Sequence, residues 1–166
     1  MNFNELSELS NKFNKLIFPS IIHISTMRVL SSLLKGKSQT SDFDGFNCLL
    51  QKLNIPVGKP GWHEQFEFQK GEEDVIILRI DDGFSNGSEY LDYIFTGGLF
   101  AMTSCYLDDD LEEQTDSLIS YFDDNELYKI DYNENGNLRH EVLFENLISP
   151  DDKRELVSIF VPIKEL

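Results

Sequence analysis

The chain is short of positive charge, cysteine and long apolar runs, and each shortage removes a class of function. Lys and Arg number 14 against 30 Asp and Glu, for a net charge of −16. Nucleic-acid binding relies on basic side chains that displace counterions, so a phosphate-backbone partner is disfavoured, as is an anionic membrane surface. A cationic ligand would instead feel a long-range attraction, although plain solubility also accounts for the charge. Only Cys48 and Cys105 are present, with no CxxC spacing, which fits two free thiols in a reducing cytoplasm better than a disulfide. No stretch approaches the roughly 18 apolar residues needed to cross a bilayer, and the N-terminus is polar rather than signal-like. The chain therefore reads as a cytoplasmic protein. It also lacks GxSxG, a phosphate-cradling glycine loop and Gly-x-Gly-x-x-Gly.

What is present suffices for a single core. At 166 residues, with 40% hydrophobic residues and 13 Phe, one domain can bury enough apolar surface to exclude disorder. Leu6, Leu9, Phe13, Leu16 and Ile17 make one apolar stripe of a helix that ends before Pro19. The apolar, β-branched run Ile21 to Leu34 reads as a strand and Gly36 to Ser41 as a loop. Phe43, Phe46, Leu49, Leu50 and Leu53 fall at helical spacing, with Ser41 or Asp42 placed to cap the first amides. Pro56, Gly58, Pro60 and Gly61 break the chain. Phe66 and Phe68 then alternate with Glu67 and Gln69 in a strand with one polar side, and Asp74 to Ile80 returns as an apolar strand.

The order then starts over. Gly98 to Tyr106 is a strand with Leu99, Ala101, Thr103 and Cys105 on one side and Phe100, Met102, Ser104 and Tyr106 on the other. Leu111, Leu118, Ile119 and Phe122 mark a helix whose acidic first turn suits the helix dipole. Leu127 to Tyr132 and Asn137 to Ile148 read as a hairpin around Asn135-Gly136. Leu156 to Ile163 closes the unit. Phe46 meets Leu118 and Leu50 meets Phe122 at an offset of 72, His63-Glu64 meets His140-Glu141 at 77, and Val75 and Ile77 meet Val157 and Ile159 at 82. Two copies of strand, helix, strand, strand follow. The fold class is α+β: tandem β-α-β-β repeats in an antiparallel sheet with helices, preceded by a short N-terminal helix.

Gly97-Gly98-Leu99-Phe100-Ala101-Met102, the pair Phe144-Glu145 and the closing Val161-Pro162-Ile163-Lys164 resemble a GyrI-like domain, the effector-binding module of many AraC- and MerR-type regulators. The resemblance implies pseudo-twofold symmetry between the repeats and a groove between the halves that takes amphipathic, often cationic, small molecules. It divides the chain into a helix over 1–18 and an effector-binding domain over 19–166. An acid on the penultimate strand lies in the family's groove, and by position that acid is Glu145. Strand alternation puts Val142, Phe144 and Ile148 on a core side, and Glu141, Leu143, Glu145 and Leu147 on the groove side. Trp62, Tyr93, Phe100 and Tyr106 are the aromatic candidates for cation contact, worth about 0.5–2 kcal/mol each. Phe100 stands where the family commonly has Tyr.

Other motifs carry no site. Asp131 to Gly136 imitates the start of a calcium loop, but the acid required six residues on is Val142. His63-Glu64 and His140-Glu141 lack the second histidine of a zinc-protease helix, so neither a metal nor another cofactor is expected. The leading function is a small-molecule effector-binding protein without its own DNA-binding module, since 18 residues are too few for one. Two alternatives stand beside it. One is hydrolysis of reactive electrophiles by Glu145 with Tyr106; the other is an acidic protein that inhibits a basic partner. A homodimer is left open.

Overall fold

The computed structural model describes residues 19–53, 65–148 and 155–166. Their elements are β1 (Ser20–Ile24), β2 (Met27–Leu34), β3 (Lys37–Ser41), α1 (Phe43–Lys52), β4 (Gln65–Lys70), β5 (Glu73–Arg79), β6 (Tyr90–Phe95), β7 (Gly98–Tyr106), α2 (Leu111–Ser120), β8 (Tyr128–Ile130), β9 (Leu143–Ile148) and β10 (Glu155–Glu165). The strands form one antiparallel sheet in the order β1-β7-β10-β9-β4-β5-β2-β3, with β6 also on β2 and β8 also on β10. The α+β class is as the sequence implies. The N-terminal helix expected over 1–18 lies outside the described residues, as does Trp62.

Both helices cover the same face of the sheet. Phe46 and Leu50 of α1 pack on Leu30, Ile76 and Leu78; Leu118 of α2, with Phe122, packs on Ala101, Ile159 and Val161. Glu67 is paired with Ile76 on one side and with Phe144 on the other, and residues paired across strands share a face. The opposite face carries one core common to both halves, including Val29, Phe66, Phe68, Val75, Ile77, Phe100, Leu143 and Phe160. Phe66 and Phe160 meet edge to face there, with ring centroids 5.4 Å apart.

Local chemistry fixes the element ends. The Asp42 side chain accepts the Gly45 N–H at 3.1 Å and the Tyr90 hydroxyl at 2.9 Å, capping α1. Asp110 caps α2 through the Glu113 N–H at 3.1 Å, and Glu112 and Glu113 fill the acidic first turn. No helix among the described residues is long and apolar enough to cross a membrane.

Four features of the strands differ from the expectation. The single strand expected over Ile21 to Leu34 is two: β1 pairs with β7 and β2 with β5 and β6, the chain turning at Ser25-Thr26. The loop expected over Gly36 to Ser41 is mostly β3, folded back on β2 at Gly36, where φ is +74°. β6 was not marked in the sequence at all. The Asn135-Gly136 turn is present, with Gly136 at φ +78° and the Asn133 side chain accepting the N–H groups of Asn135 and Asn137 at 2.9 and 3.1 Å. Its outgoing arm, however, makes only a Tyr132–Leu138 bridge before β9 begins at Leu143.

Candidate functional site

Because α1 and α2 sit on different halves of one sheet face, the central strands β4 and β9 are left to floor a groove beside α2. Its volume is about 870 Å³, within the range of small-molecule sites. The floor comes from Glu67 on β4 and Val142, Phe144 and Asn146 along β9, with Val157 of β10 beside them. One wall is α2, through Leu111, Glu112, Thr115 and Asp116; the other is the β4–β5 hairpin end, through Gln69 and Asp74. Leu107 and Glu141 also reach it. The surface is apolar at its base and acidic around it, with Glu67, Asp74, Glu112, Asp116 and Glu141 lining it. Among the described residues that line it there is no Lys or Arg.

Glu67 is the acid that the fold sets on the floor. It stands between the buried rings of Phe66 and Phe68, and pairing with Phe144 turns it to the helix side. Burial first, and the nearby Asp74 charge second, raise its carboxyl above the ordinary carboxylate range. The Asn146 amide approaches Glu67 Oε1 at 3.5 Å, and the Gln69 amide donates to Asp74 Oδ1 at 3.2 Å. A cation in this groove would restore the ionised form of Glu67 and meet the Phe144 ring beside it. Among the described residues no group of three or more His, Cys, Asp or Glu is disposed to hold a metal ion.

The residues implied by the family resemblance are distributed differently. On β9 the two faces are the reverse of those expected: Leu143 is fully buried in the core away from the helices, while Phe144 and Asn146 line the groove. Alternation turns Glu145 to the Leu143 side, opposite Ser158, whose hydroxyl is 2.9 Å from that of Ser104. Tyr106 ends β7 on that same face. Phe100 is fully buried there, under the Arg139 guanidinium, whose carbon lies 5.2 Å from the ring centroid. Tyr93 packs against the same core, and burial, with the Glu141 charge adding to it, pushes its hydroxyl up to about 12. None of Glu145, Phe100, Tyr106 and Tyr93 is among the groove-lining residues.

The Gly97-Gly98 motif has a structural task. A side chain at Gly97 would collide with the Ile24 carbonyl and the Ser25 backbone, and Gly98, at φ +145°, leaves room for Arg139. Arg139 in turn donates to the Gly97 carbonyl at 3.1 Å and pairs with Asp131 at 2.7 Å.

No protein-family model matches the chain, and no curated protein matches it. Solved structures do. EcmrR in its complex with DNA is 12% identical with a TM-score of 0.59, over 98% of this chain and 64% of that one. The crystal structure of the EcmrR C-terminal domain is 13% identical with a TM-score of 0.56, over 91% of this chain and 99% of that one. A hydrolase from Listeria innocua is 10% identical with a TM-score of 0.54, over 96% and 98% respectively. This chain spans just under two thirds of the EcmrR chain and matches nearly the whole of its C-terminal domain. At such identities the likeness is one of fold. That likeness supports the fold of a GyrI-like domain, to which the glycine-rich strand entry and the closing strand had pointed.

Proposed function

We propose that the protein binds a lipophilic cation in the groove between α2 and the β4–β5 hairpin, as a sensor or sequestering module related to transcriptional regulators. The observation that carries this reading is Glu67: a half-buried carboxylate with a raised pKa, on an apolar floor, in a groove whose other charged lining residues are all acids. Holding such an acid ionised without a partner costs solvation, and a ligand that brings positive charge and apolar surface relieves both costs. We assign the acid's part to Glu67 rather than Glu145. Trp62, three residues before Gln65 where β4 begins, is carried in the same proposal as an aromatic contact.

The tandem repeat belongs to the proposal as well. Glu67 and Phe144 are 77 positions apart and pair with each other, as residues related by a twofold axis between β4 and β9 would. Each half also runs from an outer first strand (β2, β7) through a helix to a central second strand (β4, β9), then back to the strand between (β5, β10). The hydrolase alternative required Glu145 and Tyr106 around a water in the groove, and both side chains turn to the other face.

Calorimetric titration with tetraphenylphosphonium tests the reading. Micromolar binding is expected, weakened about 10- to 100-fold by Glu67→Gln, the range of a charge-assisted contact, and unchanged by Glu145→Gln. Equal affinity of wild type and Glu67→Gln would remove Glu67 from the site.

A further inference from the structure

The groove holds two pairs of the same kind. In each, a carboxamide faces a carboxylate: Asn146 with Glu67 at 3.5 Å and Gln69 with Asp74 at 3.2 Å. An amide oxygen turned toward a carboxylate would be repelled, so the NH₂ group takes that side and the amide oxygen is directed away from it. No described residue donates a hydrogen bond to either amide oxygen. Each pair therefore combines negative charge with a neutral acceptor beside it. Glu67 and Gln69 lie on one face of β4 two residues apart, which sets the pairs roughly 7 Å from each other along the strand.

We infer that the groove prefers cations that carry N–H donors, such as an amidinium, guanidinium or primary ammonium group, over quaternary cations that carry none. This inference rests on the cation-binding reading above and narrows it. A carboxylate attracts either kind of cation through charge and ring contact alone. Two acceptors side by side, one an anion and one an amide oxygen, add directed hydrogen bonds that only an N–H donor can meet, and those are the stronger, charge-assisted kind. A quaternary cation in the same place would leave both acceptors desolvated and unmatched.

The experiment compares 4-biphenylamidinium with its N,N,N′,N′-tetramethyl analogue on the full chain, with tetraphenylphosphonium as a third ligand. Methylation adds apolar surface, so a hydrophobic groove without donor selectivity should favour the methylated compound. The expected result is the reverse, with the parent amidinium bound at least tenfold more tightly. The solvent-exposed position of Asn146 makes Asn146→Leu tolerable to the fold; that variant should cut the preference, read as the ratio of the two amidinium affinities, to threefold or less. Binding of all three ligands with equal or better affinity for the methylated one would overturn this inference and leave the cation reading standing. A preference that survives intact in Asn146→Leu would also overturn it. Failure of all three ligands to bind would overturn both.

Discussion

Glu67 and Phe144 face each other across the junction of β4 and β9. An acid and an aromatic ring thus meet at the centre of the sheet, on the helix side, in the stretch that α1 and α2 leave open between them. The acid is held there by its strand, no described residue forms an ion pair with it, and its cost to the empty protein can be measured.

Burial and the Asp74 charge raise the Glu67 carboxyl, so the folded state holds that proton more tightly than the unfolded chain does. The associated stability is fully present below the unfolded pKa and is lost as pH rises through the folded one. Glu67→Gln stays neutral throughout. At pH 7, without ligand, it should melt above wild type. The gap should narrow as pH falls toward the ordinary glutamate value of about 4.3 and close below it, where both side chains are neutral. Differential scanning calorimetry across that range decides it, and a variant that melts below wild type at pH 7 would refute the raised carboxyl.

Gly97 marks the closest backbone approach, where the β1–β2 turn crosses the entry to β7. Because Gly97→Ala would drive a methyl group into the Ile24 carbonyl and the Ser25 backbone, it should cost about 3 kcal/mol, the upper end of typical overpacking, since backbone atoms cannot move aside. Gly36→Ala is the control: its φ of +74° is strained but the space around it is open, so about 1 kcal/mol is expected. Urea unfolding of the two variants ranks them. Gly97→Ala no more costly than Gly36→Ala would mean that the two backbones do not press together.

What the sequence made legible follows from what alternation can and cannot say. Leu99, Ala101 and Cys105 do face α2, with Phe100 and Met102 in the opposite core, because a strand's period of two is fixed by its pleat. The same rule sorted β9 into two sets without telling which was which. Both faces of a central strand are covered, so Leu143 and Phe144 looked equally suited to either side. Glu67 carries no site assignment in the sequence, because Phe66-Glu67-Phe68-Gln69 reads only as a strand with one polar side. A signal against that existed: Val75, Ile76, Ile77 and Leu78 are apolar on both faces, so their strand is internal, and β4 beside it has neighbours on both edges. Under the proposed repeat, the offset of 82 that matched Val75 to Val157 puts the two residues on opposite faces. Val75 packs away from the helices and Val157 toward them, whereas the pairings of Glu67 with Ile76 and Phe144 with Ile159 give 83. A slip of one residue exchanges the faces.

Ser32 shows how a polar residue in the core can hold two strands apart in register. The Ile76 N–H donates to Ser32 Oγ at 3.0 Å, Ser32 Oγ is 2.7 Å from Ser41 Oγ, and Ser41 Oγ donates to the Asp74 carbonyl at 2.6 Å. With the Ser41 proton committed to Asp74, Ser32 must donate to Ser41. The result is a relay from the Ile76 amide to the Asp74 carbonyl, standing in for ladder bonds where β2 leaves β5 and takes up β3. Ser32 is fully buried, so Ser32→Ala strands the Ile76 amide without a partner, at about 1–3 kcal/mol. Ser41→Ala removes the acceptor of the Ser32 hydroxyl and the donor to the carbonyl of the exposed Asp74, but it leaves the Ile76 amide bonded to Ser32 and should cost less. Urea midpoints of both variants, with hydrogen exchange at the Ile76 amide, provide the check. Exchange at that amide should accelerate in Ser32→Ala beyond what the global loss of stability explains. An unchanged rate, with the two variants equally stable, would mean that the relay contributes nothing to the ladder.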